Sequence, residues 1–196
     1  MKLTDATQAN LIITGNETYT LGTFVNATTE QAWPNLAWNT PASIIGLPGY
    51  SVASNTSFLF VQSVVVDGKD CVWALDTGRP STLSTSTHQV FAHCDTTAIN
   101  GTDQLAQVPG GPKLVRFDAN GNLLEIITFP SNVVYADSSL NDVRFDLRST
   151  TAFPAGVAYM TDSSPQRAGL VVVDLQTKRS WRHLDNHISV QAVCLS

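Results

Sequence analysis

Residues 140–146 read Leu-Asn-Asp-Val-Arg-Phe-Asp and begin a run of four apolar segments, each as long as a β-strand. The other three are Val-Ala-Tyr-Met-Thr-Asp (157–162), Leu-Val-Val-Val-Asp (170–174) and Ser-Trp-Arg-His-Leu (180–184). An earlier part of the chain follows the same plan, with segments at 61–67, 71–78, 114–118 and 123–129. A unit of four strands that repeats in this way is typical of the blades of a β-propeller.

The repeat predicts an all-β chain, and no stretch shows the period of a helix over several turns. We expect residues 1–57 to form an irregular segment with the remnant of a preceding blade. Residues 58–196 would then form blades, as a fragment of a larger single domain. One repeat runs from Asn141 to Leu184, so six blades would need on the order of 260 residues. The alternative is a complete small β domain.

The composition indicates an extracellular β protein and disfavours two kinds of partner. Charged residues make up 14% of the chain, against about 25% in a typical globular domain. The net charge is −5 and no basic run is present, so we expect no nucleic-acid partner. No apolar stretch approaches the length of a membrane-spanning helix, so we expect no membrane partner. The first residues also lack the apolar region of a signal peptide.

Sequons and cysteines point in the same direction. Asn-x-Ser/Thr sequons, the acceptors of N-glycosylation, occur at Asn16, Asn26, Asn55 and Asn100. A disulfide between Cys71 and Cys94 would pin the long intervening loop to its blade, and the alternative is two reduced thiols. Cys194 is left without an expected partner.

Aspartates recur where strands end. For Asp67, Asp76, Asp118, Asp146 and Asp174 we expect Asx-turns, in which the side chain accepts from the backbone two residues on. Trp73 and Trp181 occupy strand positions and are expected in the core between blades rather than in an aromatic ligand cage.

Several segments together resemble the yellow/major royal jelly protein family, and most closely its filamentous-fungal, yellow-like members. The resemblance covers about residues 60–190 and rests on the segments 61–67, 73–79, 111–115, 140–148, 158–164, 170–175 and 180–187. It implies a secreted, six-bladed propeller, of which this chain would be a partial, open internal portion. Half a ring exposes strand edges that closure would cover, so we expect the isolated chain to be marginally stable or prone to aggregation.

The first strand of each blade carries the candidate ligand-binding residues. Gln62-Ser63 and Asn141-Asp142 occupy equivalent positions, because each pair precedes Val-x-x-Asp. Gluconolactonase-type propellers, which are related, hold a divalent metal with an Asn at a similar strand start. Asn141 is therefore a candidate ligand for Ca²⁺ or another hard cation. The alternative is that Asn141 and Asp142 cap a turn, which we favour slightly for Asp142.

Three functions remain open from the sequence, and no catalytic residue is assigned. The first, for which the resemblance implies the ligand class, is a protein that binds or transforms a small, aromatic or amine-bearing molecule in the central channel. The second is a metal-dependent lactonase or isomerase, and the third is a secreted structural glycoprotein without a site. His183 and His187 flank Asp185, and Ser189 follows, but a Ser-His-Asp triad is disfavoured because no Gly-x-Ser-x-Gly motif is present. The oligomeric state is not indicated.

Overall fold

The computed structural model describes residues 19–26, 29–39, 56–78, 111–164 and 166–191, together with the backbone of 11–13. Its strands are β1 (Leu11–Ile13), β2 (Leu21–Asn26), β3 (Thr29–Ala32), β4 (Val61–Val66), β5 (Val72–Thr77), β6 (Pro112–Phe117), β7 (Leu123–Thr128), β8 (Leu140–Asp146), β9 (Val157–Asp162), β10 (Gly169–Asp174) and β11 (Ser180–His183). The helical content of these residues is two 3₁₀ turns, Ala37–Asn39 and Ile188–Val190. The all-β prediction is confirmed. In the described part of the chain no helix has the length and apolar character needed to cross a bilayer.

The strands form three antiparallel sheets in chain order. The first sheet contains β1–β3, the middle sheet β4–β7 and the third sheet β8–β11. The opening strands of the three sheets are neighbours, since β1 lies beside β4 and β4 beside β8. This arrangement is consistent with part of a propeller, in which successive blades place their first strands around a common axis. The number of blades in a closed ring stays a prediction.

The first sheet departs in detail from the sequence interpretation. Two of its strands, Leu11–Ile13 and Leu21–Asn26, lie in the segment for which the sequence indicated only the remnant of a blade. The strand β3 was not predicted. The core of this sheet includes Phe58 and Val61, and the domain division at residue 58 stays a prediction.

The middle sheet is covered on both faces. Along β5, Trp73 and Leu75 pack toward the third sheet, while Ala74 packs toward the first sheet. Every residue of β5 is therefore buried. Side chains of a strand alternate between the two faces of its sheet, so a strand covered on both sides needs apolar residues at consecutive positions. The segment Val-Trp-Ala-Leu (72–75) meets that need.

The two tryptophans of the repeat have different environments. Trp73 is 2% exposed and lies 4.9 Å from the ring of Phe145 across the interface between the middle and third sheets. Its indole Nε1 donates to Asp67. The predicted core role of Trp73 is therefore confirmed. Trp181 is half-buried and stacks on Phe153, outside the interface between these two sheets.

All five predicted Asx-turns are present. In each, the carboxylate accepts from the backbone amide two residues on, at distances of 2.8–3.1 Å. The aspartates are Asp67, Asp76, Asp118, Asp146 and Asp174.

Asp76 does more than make a turn. Its carboxylate also accepts from the amides of Leu59 and Phe60, which lead into β4, and from the ammonium of Lys113 at 2.9 Å. Both charged side chains are fully buried. The ion pair thus ties the entry of the first strand to the second and third strands of the same blade.

The third sheet has an equivalent buried ion pair, in which the cation is an arginine. Asp162 accepts from the amide of Ser139, before β8, and from Arg182 Nη1 at 2.8 Å. Arg182 comes from β11, whereas the position opposite Asp162 in the register is Gly169. A Cβ on Gly169 would lie 3.0 Å from Arg182 Nη2. Glycine therefore leaves the space that the guanidinium occupies.

Candidate functional site

A β-bulge lies near the start of β4 and of β8, which are the opening strands of the middle and third sheets. In β4 the register shifts between Val61, opposite Asp76, and Ser63, opposite Leu75. In β8 it shifts between Leu140, opposite Asp162, and Val143, opposite Met160. Bulges re-aim side chains and are frequent beside functional sites. The extra residue in each strand falls among the polar residues that the sequence singled out.

The two bulges bring the predicted ligand-binding residues together. Gln62 Nε2 donates to Asn141 Oδ1 at 3.2 Å, and Ser63 Oγ donates to Asp142 Oδ1 at 2.7 Å. Equivalent positions of two blades therefore contact each other. We call Gln62, Ser63, Asn141, Asp142 and Arg144 the mouth cluster. Asn141 and Asp142 lie within β8, so the alternative that they cap a turn is wrong.

Asp142 is held through one oxygen. Its Oδ1 accepts from Ser63 Oγ, from the amide of Val143 at 2.8 Å and from Arg144 Nη1 at 2.7 Å. Among the described residues none donates to Oδ2. The backbone amide of Asp142 is also fixed, because it donates to Thr161 Oγ1. One carboxylate oxygen thus anchors the side chain.

Arg144 is the cationic member of the mouth cluster. Its Nη1 donates to Asp142 Oδ1 and to the carbonyl of Val143. Its side chain is 71% exposed, and that of Asp142 is 42% exposed. Within the described residues, Nε and Nη2 of Arg144 have no acceptor. The cluster therefore presents a carboxylate and a guanidinium side by side, each with unused hydrogen-bonding capacity.

The buried ion pairs Asp76–Lys113 and Asp162–Arg182 lie next to the mouth cluster. Asp76 lies opposite Val61, next to Gln62, and Asp162 lies opposite Leu140, next to Asn141. Each pair fixes the segment that leads into an opening strand. The polar cluster therefore lies next to the strand entries that these ion pairs hold in place.

The metal prediction for Asn141 rests on amide and carboxylate oxygens. In the described part of the chain, no group of three or more His, Cys, Asp and Glu side chains is placed to hold a metal ion. The amide oxygen of Asn141 accepts from Gln62. The assignment of a divalent cation to Asn141 stays a prediction.

Most of the predicted covalent modifications lie outside the described residues. This is so for Asn16, Asn55, Asn100 and Cys94, whereas Asn26 is exposed at the end of β2. Cys71 is buried and has no cysteine partner among the described residues, and its sulfur contacts Arg116 Nη2 at 3.3 Å. The disulfide between Cys71 and Cys94, like the four sequons, stays a prediction.

The disfavoured hydrolase triad is not assembled. Asp185 pairs with Nε of Arg182 at 2.8 Å. His187 contacts Ser189 Oγ through Nδ1, and the same nitrogen accepts from the Ser189 amide. Among the described residues no aspartate orients this imidazole. The exposed contact between His187 and Ser189 caps the start of a 3₁₀ segment.

The sequence interpretation missed Arg144 as a functional residue. It also named Ser63 only as a neighbour of Gln62. The spacing Asp-x-Arg at 142–144 was the available signal, because residues two apart on a strand share a face. The contact between Ser63 and Asp142 depends on how two sheets pack, and a single sequence carries no sign of it.

The chain matches the model of a known protein family. A family model described as Major royal jelly protein matches residues 89–194, more than half of the chain. The matched range contains Asn141, Asp142 and Arg144 but not Gln62. No curated protein gives a significant match.

Proposed function

Because the chain belongs to the major royal jelly protein family, we propose that it binds a small molecule at its mouth cluster. Gln62, Asn141 and Asp142 supply the polar contacts of this site. The proposal places the ligand at the inner edge of the blades, where opening strands of successive blades meet. The proposal covers binding or transformation of the ligand at this site, and binding alone satisfies it.

One observation carries the proposal. Asp142 is fixed by three donors on Oδ1 while Oδ2 has no donor among the described residues. The Asp142 side chain is 42% exposed, so a ligand can reach it, and a rigid acceptor loses little conformational entropy when a ligand arrives. Asp142 is thus prepared to accept a hydrogen bond from a ligand.

The test is a ligand screen with a matched pair of variants. Small aromatic and amine-bearing molecules are titrated calorimetrically into the wild type, Asp142→Asn and Asp118→Asn. Asp118 is a half-buried aspartate in the turn that follows β6 of the middle sheet, so it controls for loss of a carboxylate. We expect saturable binding that Asp142→Asn weakens about tenfold, as for loss of a charged hydrogen bond. Equal binding by the wild type and Asp142→Asn would place the site elsewhere.

The second candidate is a metal-dependent lactonase-like enzyme, in which Asn141 helps to hold a divalent cation. The oxygen atoms of Gln62, Asn141 and Asp142 favour it, since hard cations take such ligands. The positive charge of Arg144 beside Asp142 opposes it. Native mass spectrometry with metal analysis decides between the candidates. A stoichiometric divalent ion that Asn141→Ala removes would establish the metal-dependent alternative.

We also propose an extracellular location, supported by the family membership and by the low charged fraction of the chain. Glycosylation at Asn26 fits this location, since its side chain is exposed. Peptide mapping after secretion from a eukaryotic host tests it, and an unmodified Asn26 in fully secreted protein would remove Asn26 from the proposal.

A further inference from the structure

We propose that the mouth cluster recognises a ligand that carries an ammonium and a carboxylate group on neighbouring atoms, as a free α-amino acid does. This inference rests on the proposed function and narrows its ligand class. The observation behind it is the juxtaposition of Asp142 and Arg144, which present opposite charges 2.7 Å apart.

The anionic half of the site is the free oxygen of Asp142. Ser63 and the amide of Val143 hold the carboxylate through Oδ1, so it stays in place if Arg144 moves. An ammonium group can donate to Oδ2 without displacing either donor. Ser63 is 7% exposed and acts as a positioning residue for Asp142.

The cationic half is the outer side of the Arg144 guanidinium. Nη1 is engaged by Asp142 and the Val143 carbonyl, whereas Nε and Nη2 have no acceptor in the described part of the chain. The planar arrangement of guanidinium donors matches a carboxylate. The side chain is exposed, so a ligand carboxylate reaches it without displacing protein.

The pairing of charges selects against ligands with one charge. An ammonium at Asp142 is attracted by the carboxylate and repelled by the adjacent guanidinium, and the two effects act over similar distances. A carboxylate at Arg144 is attracted by the guanidinium and repelled by the adjacent carboxylate of Asp142. A ligand that carries both groups in the matching order gains both attractions. The Asp142–Arg144 pair itself contributes little as an exposed ion pair, so it can adjust to the ligand at small cost.

An aromatic group on the ligand has a neighbour available. Tyr159 lies opposite Arg144 in the register between β8 and β9 and is 41% exposed. Aromatic side chains gain from stacking against one another. Phenol-bearing probes therefore suit the test.

The test compares three probes that differ only in their charged groups: L-tyrosine, tyramine and 3-(4-hydroxyphenyl)propionate. Each is titrated calorimetrically into the wild-type chain, Arg144→Gln and Arg144→Glu. We expect the wild type to bind L-tyrosine about tenfold more tightly than either other probe, the effect of one added charged hydrogen bond. Arg144→Gln removes the preference over tyramine, and Arg144→Glu reverses it.

Arg148→Gln is the matched control. Arg148 also forms an exposed ion pair, with Asp146 at the far end of β8, and it lies outside the mouth cluster. This variant should keep the preference of the wild type.

Two results would overturn the inference in distinguishable ways. If tyramine binds as well as L-tyrosine, and Asp142→Asn abolishes both, the proposed function stands and the ligand class is wrong. If none of the three probes binds saturably to folded wild-type protein, the proposal for this ligand class fails, and the proposed function loses its support for amine-bearing ligands as well.

Discussion

At the scale of single residues, the structure separates aspartates that the sequence could not distinguish. Asp76 and Asp118 both precede turns and both make the predicted Asx-turn. Asp118 is half-buried, whereas Asp76 is fully buried against Lys113. The sequence indicates the turn because the turn is local. The ion pair joins strands 37 residues apart along the chain, and a lysine in an apolar segment gives no sign of its partner.

The buried ion pair leads to a prediction about stability. Asp76→Asn should lower the free energy of unfolding by about 3–5 kcal/mol, because it leaves the Lys113 ammonium buried without a countercharge. The measurement is urea unfolding at neutral pH. Asp118→Asn serves as the control and should lose much less. Similar losses in both variants would show that the Asp76–Lys113 pair is not the tie between strands that we describe.

Asp146 gives a prediction about titration. Hydrogen bonds from the side chain and the backbone amide of Arg148 lower the pKa of Asp146 from 3.8 to about 2. Since the folded-state pKa is depressed, its contribution to stability is present above pH 3.8 and is lost as the pH falls toward 2. Carboxyl-carbon NMR should find the low pKa, and Arg148→Gln should raise it toward the ordinary value. An ordinary pKa in the wild type would mean that the ion pair does not persist in solution.

At the scale of elements, the repeat predicted most of the strands, but it predicted neither the strand β3 nor the bulges. The two four-stranded sheets follow the apolar segments closely, because alternation and turn residues are local signals. The strand β3 (Thr-Glu-Gln-Ala) was missed because only Ala32 in it is buried. The bulges in β4 and β8 were also missed. A bulge is defined by the partner strand, so one strand's sequence does not reveal it.

The hairpin between β8 and β9 depends on one glycine. Gly156 has φ +91°, and a Cβ there would lie 2.4 Å from the carbonyl oxygen of Asp146. Gly156→Ala should therefore destabilise the chain by about 1–3 kcal/mol or more. Gly68→Ala, where a Cβ meets nothing within 4 Å, should be neutral or stabilising by up to about 1 kcal/mol. Thermal unfolding of the two variants makes the comparison, and equal melting temperatures would contradict it.

At the scale of the whole molecule, the candidate site is formed by two neighbouring sheets together rather than by any one sheet. Gln62 and Asn141 were predicted from equivalent positions in the repeat, and the packing of β4 beside β8 brings them into contact. Their equivalence was visible in the sequence because the blades repeat. Their contact, and the anchoring of Asp142 by Ser63, follow from how the middle and third sheets pack against each other.

The central claim is that a small molecule binds where the opening strands of two blades meet. The most direct measurement is a ¹H–¹⁵N NMR titration that follows the side-chain amides of Gln62 and Asn141 with the best ligand from the screen. We predict that both signals shift saturably in the wild type and that Asp142→Asn reduces the shifts at the same ligand concentration. Saturable shifts confined to residues outside the mouth cluster would contradict the claim.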